Sequence, residues 1–595
     1  MTTVADQIVR RLSDWGVGRV FGYSGDGING VLDALRRSDA GIEFVQARHE
    51  ENAALMAVGQ AKYDGGAGVV ISTQGPGAIH LLNGLYDAKL DHAPVVAVIG
   101  QQHRSTLGSG YMQEVDLRTL FADVASAYVT QVVTPDQVPL AIDRAFRNAL
   151  ATRQPAVVIV PHDVQSADAS DTDQAHGVVR TAAVFEPPLV TPSPERLREA
   201  AELLRRAERP MILAGRGVAS CGDDLTRLAD RMGAGLVTSL LGKPYVDESL
   251  PFAAGTMGHL GTTASAELLT ECDALLIVGS NDPWTEYYPA PGRAAAVQID
   301  VDPRMIGNRY PVDVGVVGDA GAALRGLLEL VDERPDGAWR SRVEDAVDRW
   351  RQTARRRAAV PAEPLNPEAA LRAMNDHLPA DARIAVDVGS VVYWYARQVV
   401  LPRGVPAHVS GTLATMGCGV PYGLAAKLGA PDRPTVVLAG DGGMQMTGVA
   451  ELITVAARWR DWADPRFVVA VLDNGDLAEV SWEQREMEGA PRFPDTQDLP
   501  AFPYADYARM LGLAGETVES PEELDAAWGR AFASDRPFLL HLRTDPAVPL
   551  LPPAASSPEA ADAMRASLTV EAAQGGPHAQ RALRLIDAYL DMPAT

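Results

Sequence analysis

VVLAGDGGMQ (436–445) and FVVAVLDNGD (467–476) set Asp441 and Asn474 at the ends of two successive strand-like runs. Residues 435–439 are short, apolar and β-branched, GDGG then breaks the run, and a helical pattern follows from Met446 to Arg460. Residues 467–472 are again a buried-type strand. Strand, glycine turn, helix and strand make one right-handed βαβ unit whose carboxyl-end loops face a common crevice, so Asp441 and Asn474 converge. Gly440, Gly442 and Gly443 let the backbone approach phosphate oxygens, and the helix amino end favours anions. A hard cation such as Mg²⁺ takes a carboxylate, an amide oxygen and diphosphate oxygens. An isolated GDG is usually an ordinary tight turn; the paired Asn makes this one selective.

Outward from that unit, the 595-residue chain is long enough for three or four domains. Its net charge of −24 argues against a nucleic-acid footprint. Cys221, Cys272 and Cys418 are widely spaced and odd in number, which suggests neither a disulfide framework nor a zinc cluster and fits a reducing cytoplasm. MTTVADQIVRRLSDWGV reads as an amphipathic helix rather than a signal peptide, and no run approaches membrane-spanning length.

Alternating helices and short strands predict an α/β protein. A parallel sheet is expected over 1–165, from strands such as GRVFGY, AGVVIST, PVVAVIG and PAVVIV. A polar stretch, Gln165 to Gln174, and the Pro-rich PPLVTPSPE at 187–195 read as a linker. A second unit spans 190–345 with MILAG, ALLIVG and AVQID, and a third spans 366–548 with RIAVDVG, TVVLAG, FVVAVL and FLLHLR. Between them lies a charged helix, WRSRVEDAVDRWRQTARRRAAV. The first and third units share a strand-and-glycine-loop rhythm that suggests a doubled domain. The tail, 549–595, ends in an amphipathic helix with Leu583, Ile586 and Leu590 on one face, expected to dock on its own subunit rather than on a membrane.

GDG followed after a helix and a strand by Asn resembles the cofactor signature of thiamine diphosphate enzymes of the pyruvate oxidase and acetohydroxyacid synthase group. The resemblance covers nearly the whole chain. It implies three doubly wound parallel-sheet domains, binding the thiamine pyrimidine, a nucleotide of FAD type and the diphosphate with Mg²⁺. It implies metal ligation by Asp441, Asn474 and the Asp476 carbonyl, although Asp473 stands where the family often has a second Asn. In RHEENAALMAVGQA, Glu50 matches the acid that exchanges a proton with the aminopyrimidine and so activates thiamine for carbanion chemistry. STQGPGAIH places Gly75 and Gly77 beside the cofactor with His80 nearby. SGTLATMG aligns Met416 with the residue that props thiamine into a bent form, and Ser390 of DVGS is a candidate diphosphate contact. Glu50 of one subunit is expected to meet the metal site of another in a homodimer or homotetramer.

The middle unit resembles the flavin-binding domain of pyruvate oxidases and pyruvate:quinone oxidoreductases, with loops at Gly215, Gly217, Gly279, Asp300 and Asp302 as the FAD cradle. Val480 and Glu483 of GDLAEVSWEQRE match the oxidase branch, since acetohydroxyacid synthases carry Trp at the Glu483 position; Gln113 of YMQEVD is a further candidate catalytic residue. Ala478 and Glu479 replace an aromatic expected there, and Met112 replaces another. These features lead to the expectation of an enzyme that decarboxylates a 2-oxo acid, pyruvate being the leading candidate, and passes electrons to FAD and then to oxygen or a quinone. The alternative is a non-oxidative carboligase or lyase with structural FAD.

Overall fold

The computed structural model describes residues 2–169, 179–334, 337–553 and 557–590; the second half of the expected polar stretch, 170–174, lies outside them. The chain builds three six-stranded, all-parallel sheets flanked by helices. The first contains β1 (Arg19–Gly22), β2 (Glu43–Gln46), β3 (Gly68–Ser72), β4 (Val95–Gln101), β5 (Tyr128–Gln131) and β6 (Pro155–Pro161). The second contains β7 (Pro210–Ala214), β8 (Gly235–Thr238), β9 (Ala253–Thr256), β10 (Ala274–Val278), β11 (Ala295–Asp300) and β12 (Val314–Val317). The third contains β13 (Arg383–Val386), β14 (Ala407–His408), β15 (Thr435–Gly440), β16 (Phe467–Asp473), β17 (Ala514–Val518) and β18 (Phe538–Arg543).

Strand order explains where ligands can sit. The first sheet runs β2-β1-β3-β4-β6-β5 and the third runs β14-β13-β15-β16-β18-β17, which is the same topology twice. Each reverses direction between its first and third strands, β1/β3 and β13/β15, and a crevice opens at the carboxyl ends there. The central sheet runs β12-β11-β10-β7-β8-β9, the order of dinucleotide-binding folds, and reverses between β7 and β10. β16 is buried along its whole length, FVVAVLD, because helices cover both faces of a parallel sheet.

The first and third sheets share a core. Val70, Ala97 and Ile99 of one join Val437, Val469 and Val471 of the other around two helices, Glu50–Asp64 and Gly419–Gly429. These helices follow β2 and β14, matching positions in the doubled topology. Their small residues allow the close approach: a Cβ at Gly59 would lie 2.9 Å from the Ala425 Cβ and 3.2 Å from the Tyr422 Cα. Lys62 seals the junction, buried and bonded to Asp91 Oδ2 (2.6 Å), the Tyr422 hydroxyl (2.6 Å) and the Val409 carbonyl (2.9 Å).

The charged helix spans Ala338–Ala358. Trp339, Val343 and Trp350 pack into the central core, while the carbonyls of Ala354 and Arg357 accept from Gln398 and Asn366 of the third unit. At the carboxyl end, helices Ser557–Ala573 and Ala579–Leu590 form a hairpin. It docks on the outer face of the third sheet through Ala561, Met564, Leu568, Leu585, Ile586 and Tyr589, with Leu583 and Leu590 at the margin. No described helix is long and apolar enough to cross a membrane.

Candidate cofactor and active site

The β13/β15 switch point gathers the residues of the opening motif. Asp441, 4% exposed, begins the turn after β15. Its Oδ2 accepts from the Asn474 (3.1 Å) and Gly475 (2.7 Å) amides, and its Oδ1 from Gly442 (3.0 Å). Asn474 Oδ1 in turn accepts from the Asp476 amide at 3.0 Å. A Cβ at Gly442 would lie 3.2 Å from the Met416 Sδ, so the Met416 loop abuts the GDG turn. Ser390 opens the helix Ser390–Gln398 directly after Gly389, whose φ of +130° suits glycine.

Sequence reasoning missed three supports of this site. Asp387, at the end of β13, is buried; its Oδ1 accepts from the Val388 (2.8 Å) and Gly417 (2.7 Å) amides, tying two loops together, while its Oδ2 has no partner. Burial pushes it to about 6. Asp473, where the family often has Asn, is paired: His541 Nε2 lies 2.7 Å and Arg543 2.8 Å from its Oδ2, and both come from β18, where Asp473 pairs with Arg543 in register. Glu451, also buried, accepts from the Arg48 amide (2.6 Å) and Asn52 Nδ2 (3.0 Å), so the third unit holds the turn that carries Glu50. The alternating strand FLLHLR displays His541 and Arg543, but only strand order reveals their neighbour.

On the first unit, Glu50 starts its helix at 9% exposure. His80 Nδ1 lies 2.9 Å from its Oε2, and the His49 and His80 rings pack 4.4 Å apart. Gly77 approaches the other oxygen, since a Cβ there would be 3.2 Å from Glu50 Oε1. Gly75 presses on Gln113, which has a φ of +62° and accepts from Gln74 Nε2 at 3.0 Å. Glu50, Gly75, Gly77, His80 and Gln113 therefore form one cluster. Asn83 links it towards Met416, donating to Glu51 Oε1 (2.6 Å) and Thr415 Oγ1 (2.7 Å). Among the described residues no hydrogen bond or ion pair within the chain joins Glu50 to Asp441 or Asn474.

The central crevice lies at the carboxyl ends of β7 and β10. Gly215, Gly217 and Gly279 pack on one another: the Gly217 amide donates to the Gly279 carbonyl at 3.0 Å, and a Cβ at Gly217 would be 2.6 Å from the Gly279 Cα. Asp302 turns to its own neighbour, Arg304, at 2.7 Å, whereas Asp300 stays at the strand end, 3.4 Å from Asn281 Nδ2. Around this crevice Thr238 Oγ1, Thr256 Oγ1, Ser280 Oγ and Asn281 Oδ1 are buried without partners, all at the carboxyl ends of β8, β9 and β10.

The helix Ala478–Met487 leads from the Asn474–Asp476 loop towards the central unit. Val480 stands 53% exposed. Glu479, Glu483 and Glu486 share the face meeting His259, Trp284 and Tyr393, whose rings pack together (His259 to Trp284 5.5 Å, to Tyr393 5.9 Å). His259 pairs with Glu486 at 3.3 Å. Burial, and secondarily Glu483, pushes Glu479 to about 7, and burial raises Glu483 despite nearby His259.

Known families match each unit in turn: the thiamine pyrophosphate enzyme N-terminal TPP binding domain over residues 2–120, the central domain over 197–327 and the C-terminal TPP binding domain over 387–542. The chain belongs to the thiamine pyrophosphate enzymes. YdaP of Bacillus subtilis (strain 168), named as thiamine pyrophosphate-containing, is 34% identical over 90% of this chain and 91% of its own. The pyruvate oxidase of Lactiplantibacillus plantarum is 34% identical over 74% and 72%. Acetolactate synthase isozyme 2 large subunit of Escherichia coli is 30% identical over 93% and 98%.

The residues present fit the family's cofactor. Burial and then Asp473 push Asp441 well above the usual carboxylate range, because two buried acids adjoin and, of the two, His541 and Arg543 pair with Asp473. A divalent cation against Asp441 would supply the missing countercharge. The unpartnered polar atoms of the central crevice likewise fit a hydroxyl-rich and phosphate-bearing nucleotide.

Proposed function

We propose that this enzyme decarboxylates a 2-oxo acid with thiamine diphosphate and passes the electrons to FAD held in the central crevice. Thiamine diphosphate supplies the carbanion-stabilising centre. Asp441, Asn474 and the Asp476 carbonyl would hold Mg²⁺; Gly440, Gly442, Gly443 and Ser390 would line the diphosphate. His80 occupies Glu50 Oε2, which leaves Oε1, on the Gly77 side, to hold or release a proton. Met416 would wedge the cofactor against the GDG turn, and Val480 and Glu483 would line the substrate side. In this reading Glu50 of one subunit faces the Asp441 and Asn474 site of another.

The observation that carries the redox reading is the set of buried, unpartnered polar atoms at the carboxyl edge of a sheet with dinucleotide-binding order. The test is an absorption spectrum of the purified protein, followed by anaerobic addition of pyruvate with thiamine diphosphate and Mg²⁺. A flavin band that bleaches supports the proposal, and Glu50→Gln should abolish the bleaching without loss of secondary structure. Ligated product without bleaching refutes it. That outcome is the second reading, carboligation with structural FAD, which is favoured by Ala478 and Glu479 at positions where an aromatic would pack.

A further inference from the structure

We propose that Glu571, in the carboxyl-terminal hairpin, is a positioning residue for the metal-binding loop. The inference rests on the proposed site at Asp441, Asn474 and Asp476 and adds a residue far from it in sequence. Glu571 grips Arg485 through two bonds, Nε to Oε1 at 2.7 Å and Nη2 to Oε2 at 3.0 Å, with both side chains under one-tenth exposed. The same Oε1 accepts from the backbone amide of Arg492 at 2.9 Å. Arg492 then reaches the loop itself, bonding Asp476 Oδ1 at 2.7 Å and Asp498 Oδ1 at 2.5 Å. Asp476 is held on its other oxygen by Ser481 Oγ at 2.6 Å, and its amide donates to Asn474 Oδ1.

A continuous polar chain thus runs from Glu571 through Arg492 to Asp476 and the Asn474 side chain. No other described carboxylate contacts Arg485 or accepts from the Arg492 amide. The ground beneath the chain is not solidly packed: a cavity of about 300 Å³ lies between Trp482, Arg485, Arg492, Glu571, Gln574 and His578. Removing Glu571 takes away the acceptor that fixes the Arg492 backbone beside this cavity, and so loosens the point from which its guanidinium reaches Asp476 and Asp498. Groups that orient metal ligands from outside typically change metal affinity by roughly 10–100-fold when lost.

Glu571→Gln alone strands a buried guanidinium, so the decisive variant is Arg485→Met with Glu571→Met. It replaces the buried pair by apolar side chains of similar length, an exchange that is often neutral or stabilising, yet still removes the acceptor of the Arg492 amide. Full-length parent and variant are titrated with thiamine diphosphate by calorimetry at a series of Mg²⁺ concentrations, alongside their Tm. The expected result is a parent-like Tm with a half-saturating Mg²⁺ concentration for cofactor binding raised about 10-fold. Half-saturation within twofold of the parent overturns the positioning role, as does a rise found only together with a collapsed Tm. If the parent itself binds no thiamine diphosphate with Mg²⁺, the proposed function falls and this inference with it.

Discussion

Glu479→Gln removes one ionisable oxygen from the wall between the third and central units, and its effect can be worked out in sign and size. Burial, followed by Glu483, carries this carboxyl from 4.5 to about 7. At about 1.36 kcal/mol per pH unit, ionising it in the folded protein costs about 3 kcal/mol, and solvent at the partly exposed side chain trims that to roughly 2–3 kcal/mol. A raised carboxyl favours the protonated fold, so its stabilisation is complete below about 4.5 and is lost as pH climbs through about 7. At pH 8 the parent bears the full cost and the Gln variant none. For a folding unit of 150–250 residues this corresponds to a Tm roughly 4–12 °C higher for the variant. The advantage should shrink several-fold by pH 5, where the folded parent keeps its proton. Differential scanning of both proteins from pH 5 to 8 checks this, and an offset that does not change with pH refutes the reasoning. The same change should lower KM for an anionic 2-oxo acid at pH 8 and leave it unaltered at pH 6.

Asp441→Asn should weaken Mg²⁺-dependent thiamine diphosphate binding at least 10-fold in a calorimetric titration, while raising the Tm of the cofactor-free chain, because one of two adjoining buried acids is gone. Gly59→Leu drives a side chain into Ala425 and Tyr422 across the junction of the first and third units, and should destabilise by about 1–3 kcal/mol or more; an unchanged Tm would show that the helices do not meet closely there.

The local parts of this molecule are written in local sequence, and its convergences are not. GDG, the buried run FVVAVL and the acid after RHE are each readable because strand periodicity and glycine breaks act over a few residues. The sharing of one topology by the first and third sheets was audible in the rhythm of their strands, but strand order itself is set by contacts that no short window contains. Asp473 looked like a departure until β18 brought His541 to it across 68 positions. Glu451 supports the Glu50 turn across 403. That Gly215, Gly217 and Gly279 pack on one another is likewise invisible in a short window, as are the unpartnered polar atoms at the neighbouring strand ends.

The two proposed ends of the chemistry are therefore held by different kinds of support. The Asp441 turn is held by the Gly442 amide on Oδ1 and, through Oδ2, by the Asn474 and Gly475 amides at the end of β16, a strand that β18 braces. The outer side of the Asn474–Asp476 loop, at the Asp476 carboxylate, is held by Ser481 and by Arg492, whose backbone amide rests on Glu571 of the terminal hairpin. A metal that needs both ligands is then sensitive to the docking of the terminal hairpin, even though the hairpin itself contributes no ligand to it.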